Sequence, residues 1–107
     1  MQHVVHILRD AEEDLFEIGA HVVAHDSADR ALALLARIEK TCASLATYPN
    51  RGHVPPELER AGIAGYREVH FKPYRIIYRV EKRAVYVYCV LDGRRDLDEI
   101  LQRRLLR

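Results

Sequence analysis

Tyr74-Arg75-Ile76-Ile77-Tyr78-Arg79-Val80-Glu81 is the stretch whose period decides the fold. Tyr74, Ile76, Tyr78 and Val80 alternate with Arg75, Ile77, Arg79 and Glu81, a repeat of two that a strand converts into one apolar, aromatic face and one face carrying two arginines. Stretches rich in Tyr, Val and Ile flank it at Tyr66–Phe71 and Ala84–Leu91. Two-residue turns, Lys72-Pro73 and Lys82-Arg83, separate the three, so an antiparallel meander is expected. Neither dipeptide is a favoured hairpin turn, which leaves room for bulges that shift the faces by one residue.

Upstream of the meander the period changes to that of a helix. Leu8, Ala11, Leu15, Ile18 and Val22 follow one helical stripe, with Asp10, Glu12, Glu13, Asp14 and Glu17 on the other sides. His25-Asp26-Ser27-Ala28-Asp29 interrupts the stripe and offers Asp26 or Ser27 as an N-cap. Ala28, Ala31, Leu35, Ile38, Cys42 and Leu45 then resume it, so two helices joined by a short polar link form an antiparallel hairpin. Tyr48-Pro49-Asn50-Arg51-Gly52 stops the second helix. Residues 48–64 read as a loop with a short helical turn at Glu57–Ala61. Val4, Val5, Ile7 and Leu8 predict an early strand over 3–8. Arg94–Arg107 predicts a terminal helix, with acids in its first turns, arginines in its last, and Leu97, Ile100, Leu101 and Leu105 as its apolar stripe. The expected class is α+β: an N-terminal strand and an antiparallel helical hairpin packed on an antiparallel β-sheet, with a short C-terminal helix.

The whole chain, residues 1–107, reads as a single domain, too short to hold a nucleotide-binding domain and a substrate domain together. No apolar run approaches the roughly 18 residues of a membrane helix, and Met1–His6 lacks the build of a signal peptide, so a soluble, cytosolic protein without membrane contact is expected. The net charge of +1 conceals an asymmetry. Residues 1–64 carry 6 Lys/Arg against 10 Asp/Glu, whereas residues 65–107 carry 11 against 6. A local basic face in the second half, suited to a polyphosphate or an acidic protein segment, follows.

Few residues fit chemistry. Cys42 and Cys89 lie inside apolar patterns and read as two buried thiols. His21 and His25 share a helical face at i, i+4, but no HExxH frame and no third ligand accompany them, so no metal or other cofactor is expected. Phosphate-cradling loops such as GxGxxG are absent, and Ser27 and Ser44 fall in a cap and a helix interior. What remains is basic and aromatic: Arg67, His70, Lys72, Tyr74, Arg75, Tyr78, Arg79, Arg94 and Arg95, extended by Arg103 and Arg104. Guanidinium groups grip phosphate or carboxylate bidentately and Tyr rings stack on bases; a solvated sheet face with cross-strand ion pairs, such as Arg79 with Glu81-type neighbours, is the structural alternative.

The helical hairpin followed by Gly65-Tyr66-Arg67-Glu68-Val69, then Pro73–Val80, then Val90-Leu91-Asp92-Gly93-Arg94-Arg95-Asp96, resembles the RelE/ParE superfamily of plasmid-stabilisation toxins, the toxin halves of type II toxin–antitoxin pairs, over nearly the whole chain. The resemblance implies one of two activities. RelE-like members are ribosome-dependent mRNA endonucleases; for that activity Arg67 and Arg75 match the family's basic strand positions, Arg94 or Arg95 matches the arginine after the last strand, and His70 or Tyr74 is the substitute base. A second lysine expected two residues after Arg67 is Val69 here, and the terminal helix has no Tyr; each missing acid or base costs about 10²–10⁴ in rate. ParE-like members share the fold, lack the ribonuclease set and poison DNA gyrase without being enzymes. The absences fit that branch, with Arg67, Lys72, Arg75, Arg79, Arg94 and Arg95 as candidate target-binding residues. Both branches imply a cognate antitoxin in a hetero-oligomer, its acidic and apolar side chains meeting the basic sheet face and the groove beside the hairpin. An interaction domain without toxicity is the remaining alternative.

Overall fold

The computed structural model describes residues 2–106. Strand β1 (Val4–Ile7) is followed by α1 (Arg9–His25) and α2 (Ala28–Ala43), which a single 3₁₀ turn at Ser44–Ala46 extends. After the short α3 (Pro56–Arg60) come β2 (Tyr66–Phe71), β3 (Tyr74–Glu81), β4 (Ala84–Asp92) and α4 (Asp98–Leu105). Ser27 caps α2, its Oγ accepting from the Arg30 amide at 3.1 Å. The terminal helix is shorter than its sequence predicts, because Asp92-Gly93-Arg94-Arg95 turns tightly before it; Arg107 lies outside the described residues.

The sheet order is β1-β4-β3-β2. β2, β3 and β4 form the expected antiparallel meander, and β1 adds to β4 in parallel with Val4 opposite Ala84 and Ile7 opposite Val87. The sheet as a whole is therefore mixed. The hairpin is the crossover that a parallel neighbour requires, since β1 and β4 point the same way only if the chain returns through a long connection. A bulge interrupts β3–β4: Ile77 pairs with Cys89 but Tyr78 pairs with Val87, leaving Tyr88 as the extra residue.

Both sheet faces are covered, which corrects the reading of β3 as one apolar and one solvated face. On the hairpin side, Ala11, Leu15, Ile38 and Leu45 pack with Val69, Ile76, Tyr78, Val85, Val87 and Val90. On the opposite side Ile77, Cys89 and Leu91 are buried beneath Leu58 of α3, Leu97 just before α4 and Leu101 within it. Cys42 belongs to the first core and Cys89 to the second, so the sheet separates the two free thiols, and burial pushes their pKa values up to about 11 and about 12. Among the described residues no helix is long and apolar enough to cross a membrane.

Candidate functional site: the β2–β3 face and the turn after β4

The alternation of β2 and β3 places Tyr66, Glu68 and His70 on the same face as Arg75, Ile77 and Arg79, with Tyr66 opposite Arg79, Glu68 opposite Ile77 and His70 opposite Arg75. Glu68 is the one buried charged side chain among the described residues, 1% exposed. A buried carboxylate needs its lone pairs filled, and here they are. Arg75 donates to it from Nε at 2.6 Å and from Nη2 at 2.9 Å, His70 Nε2 lies 2.9 Å away and His53 Nε2 3.4 Å. Arg75 also grips Glu57 of α3 in a fork, Nη1 to Oε2 at 2.5 Å and Nη2 to Oε1 at 2.7 Å. This pairing holds the Glu57 carboxyl below its ordinary pKa and raises that of Arg75.

His53 reaches this cluster from the loop before α3. Its backbone exchanges hydrogen bonds with Glu68 in an isolated antiparallel bridge, and its ring meets that of His70 edge-on at 5.2 Å between centroids. The same loop is fastened from the hairpin side of the sheet. Tyr78 donates its hydroxyl to the Pro49 carbonyl at 2.7 Å and accepts from the Gly52 amide, while Arg67 Nη1 donates to the Gly52 carbonyl at 2.8 Å. Gly52 is required here: a Cβ would stand 2.5 Å from the Glu68 carbonyl oxygen and 2.6 Å from the Tyr78 hydroxyl.

The candidate residues thus fall into separate groups. Arg75 is turned inward, its side chain 13% exposed and its donors committed to two carboxylates. Arg67 lies on the opposite face and holds loop carbonyls. Arg79 stands toward the far end of β3, about 17 Å of extended strand from Tyr74. There it lies over the Tyr66 ring and pairs with Glu81 at 3.1 Å, two residues along the same strand rather than across it. Arg104 is likewise structural, paired with Asp14 of α1. Arg103 is exposed, 3.8 Å from Glu99.

His70, Lys72, Tyr74, Arg75 and Arg94 do come together, lining a shallow depression of about 310 Å³ where the β2–β3 turn meets the turn after β4. The two turns are locked by the Gly93 amide, which donates to the Pro73 carbonyl at 2.7 Å. Gly93 permits this approach, since a Cβ there would lie 2.8 Å from Arg75 Cδ and 2.9 Å from the Pro73 carbonyl oxygen. Arg94 is exposed and clasped by Asp92, whose carboxyl its guanidinium lowers to about 2. Lys72 and Arg95 make no side-chain hydrogen bond or salt bridge among the described residues, and Arg95 lines a second depression that shares Tyr74 with the first. Burial pushes the Tyr74 phenol upward, which makes it a poor base near neutral pH.

Two features escape a reading of sequence alone. Glu57 lies 18 residues from Arg75 and His53 15 residues from Glu68, and only the return of the loop over β2 joins them. The Glu68-x-His70 spacing was the visible part, placing both side chains on one face of a strand. His21 and His25, the pair singled out by spacing, stack at 4.2 Å on the exposed end of α1 with His25 Nδ1 against the His21 carbonyl oxygen.

The family described as "ParE toxin of type II toxin-antitoxin system, parDE" matches residues 5–97. No curated protein matches the sequence significantly. Among solved structures, a chain of the chromosomal ParDE TA system from P. aeruginosa superposes with a TM-score of 0.70 at 21% identity, covering 83% of this chain and 94% of that one. A chain of the toxin–antitoxin complex RelBE2 from Mycobacterium tuberculosis gives 0.60 at 20% identity, covering 84% and 96%. A mutant E. coli toxin RelE in the free state gives 0.65 at 14% identity, covering 100% and 98%. At these identities the superpositions establish the fold.

Proposed function

We infer, from the fact that this chain belongs to the ParE toxin family of type II toxin–antitoxin systems, that it inhibits bacterial growth by engaging DNA gyrase and is held in check by a cognate antitoxin. The observation that favours gyrase poisoning over RNA cleavage is the commitment of Arg75. A phosphate-cleaving site needs donors aimed at the developing charge of the transition state. Arg75 is aimed at Glu57 and Glu68 instead, Arg67 at loop carbonyls, and Tyr74 keeps its proton. Of the candidate cations, those left for a target are Lys72 and Arg95, with Arg94 beside them, at one end of the sheet.

The test is a purified gyrase assay that follows supercoiling and accumulation of cleaved DNA. Wild-type protein is expected to accumulate cleaved DNA, and Lys72→Ala/Arg95→Ala to lose the effect while retaining the wild-type melting temperature. Equal potency of the double variant would remove this end of the sheet from the target contact.

One observation favours the RNA-cleaving reading: His70 is oriented by Glu68 at 2.9 Å, as a general base is by a carboxylate. Ribosome-dependent cleavage of mRNA abolished by His70→Ala would support it.

For the antitoxin, the hairpin offers an uncovered apolar strip, with Phe16 76%, Leu32 67% and Val23 52% exposed around a groove floored by Gly19 and Ala31. An apolar helix or extended segment of the antitoxin laid in this groove, with acidic residues continuing toward Lys72 and Arg95, matches both surfaces.

A further inference from the structure

We propose that His53, Glu68 and His70 form a binding site for a first-row divalent cation of the zinc class, independent of the gyrase reading. The ligand atoms of these three residues all lie within 4.8 Å of one another. Two of the separations, 2.9 Å from His70 Nε2 to Glu68 Oε1 and 3.4 Å from His53 Nε2 to Glu68 Oε2, run to different oxygens of the carboxylate and compare with the ~3.4 Å edge of a tetrahedron of ligands ~2.1 Å from zinc, so one oxygen would take the cation and both imidazoles would turn toward it. Small rotations of two exposed imidazoles would open the first of these to the required span. Two histidines and one carboxylate leave a fourth position for water or an anionic ligand, and the half-exposed imidazoles leave that position facing solvent.

The cluster has the supports that such sites use. Its three members are fixed by backbone geometry: Glu68 and His70 project from one face of β2, and His53 is tied to Glu68 by a reciprocal pair of backbone hydrogen bonds. The carboxylate is oriented from behind by Arg75, the role that outer hydrogen-bond donors play around ligating groups. Arg75 does not cancel the site's charge. It is shared between Glu57 and Glu68, so with neutral imidazoles the cluster carries one net negative charge toward the dication. A cation there would replace the His70–Glu68 hydrogen bond and the looser His53–Glu68 contact with coordination through Nε2, the ring proton residing on Nδ1. It would also pin the 48–55 loop to β2 and place a Lewis-acidic centre beside the depression that His70 shares with Lys72.

The experiment uses untagged protein stripped with chelator and titrated with Zn²⁺ alone by calorimetry, with Co²⁺ as a visible-absorption probe of the same site. One equivalent is expected to bind the wild type. His53→Ala and His70→Ala should each weaken that binding at least tenfold and abolish the Co²⁺ absorption, whereas His21→Ala, which breaks the other histidine pair, should leave both unchanged. Both cluster variants replace exposed side chains, and matching far-UV spectra establish that they fold. Absence of binding to the wild type, wild-type affinity in His70→Ala, or loss confined to His21→Ala would each overturn the assignment.

Discussion

Arg75 shows how far the environment of one residue departs from what its place in a strand implies. On β3 it reads as half of a solvated basic pair with Arg79, yet α3 closes over it and supplies Glu57, while β2 supplies Glu68. Removing one partner of a buried ionic group leaves the others uncompensated, at a cost of about 3–5 kcal/mol. Arg75→Ala is therefore expected to lower the free energy of unfolding, read from denaturant titration, by that amount, and a loss below about 1 kcal/mol would show the network to be weak. Any loss of toxicity in this variant reports on folding before it reports on target contact. The same geometry sets the acid limb of stability. Glu57 and Asp92 both titrate below their ordinary values of 4.5 and 3.8, held there by Arg75 and Arg94, so their contributions are complete above those values and vanish as pH falls through the folded-state pKa, for Asp92 about 2. Stability should be level near pH 6 and decline between about pH 4.5 and 2; urea titrations across that range should show a shallower decline in Arg94→Ala, and an unchanged slope would remove Asp92 from the account.

The elements follow local pattern closely where pattern is enough. The period-two run of β3, the stripes of α1 and α2 and the Ser27 cap are all legible, because each depends on residues within a few positions. Pairing is less so. Nothing in Val4–Ile7 states that it will lie parallel to β4, nor does Ala84–Asp92 announce a bulge at Tyr88, since both depend on what arrives from elsewhere. Beyond Val87 the edge of β4 loses β1 as a neighbour, and side chains take over. Asp14 of α1 accepts from the Val90 amide at 2.9 Å, and Arg104 of α4 donates to the Tyr88 carbonyl at 3.1 Å. The two side chains then pair with each other at 3.0–3.1 Å, so one ion pair seals the edge and docks α4 onto α1. Arg104→Met should destabilise α4 by about 1–3 kcal/mol through the orphaned carbonyl and carboxylate. Hydrogen exchange would register this as faster exchange at Leu101–Leu105 with protection in β3 preserved. Uniform acceleration across the sheet would contradict a local role.

At the scale of the whole molecule, the acidic first half meets the basic second half where Glu57 pairs with Arg75 and Asp14 with Arg104, while Arg79, Arg94 and Arg103 pair with acids of the second half itself. The basic face legible in composition is therefore much smaller in three dimensions, reduced near the β2–β3 turn to Lys72, Arg95 and the clasped Arg94. The candidate site was readable as a list of residue types but not as a surface, because strand sequence does not reveal that α3 and the 48–55 loop cover part of it. That remnant, together with the exposed strip of Phe16, Val23 and Leu32, defines what an antitoxin must cover. A cognate antitoxin at about 100 times its dissociation constant adds about 2.7 kcal/mol to the folded state. For a domain of this size that corresponds to a rise of about 10–20 °C in melting temperature. No shift at saturation would sink the pairing. The most direct measurement is accumulation of gyrase-cleaved DNA at increasing protein, comparing wild type with Lys72→Ala/Arg95→Ala at matched stability. Cleaved DNA that rises with the wild type and not with the double variant is the predicted result, and fully active gyrase at saturating wild-type protein would contradict the account.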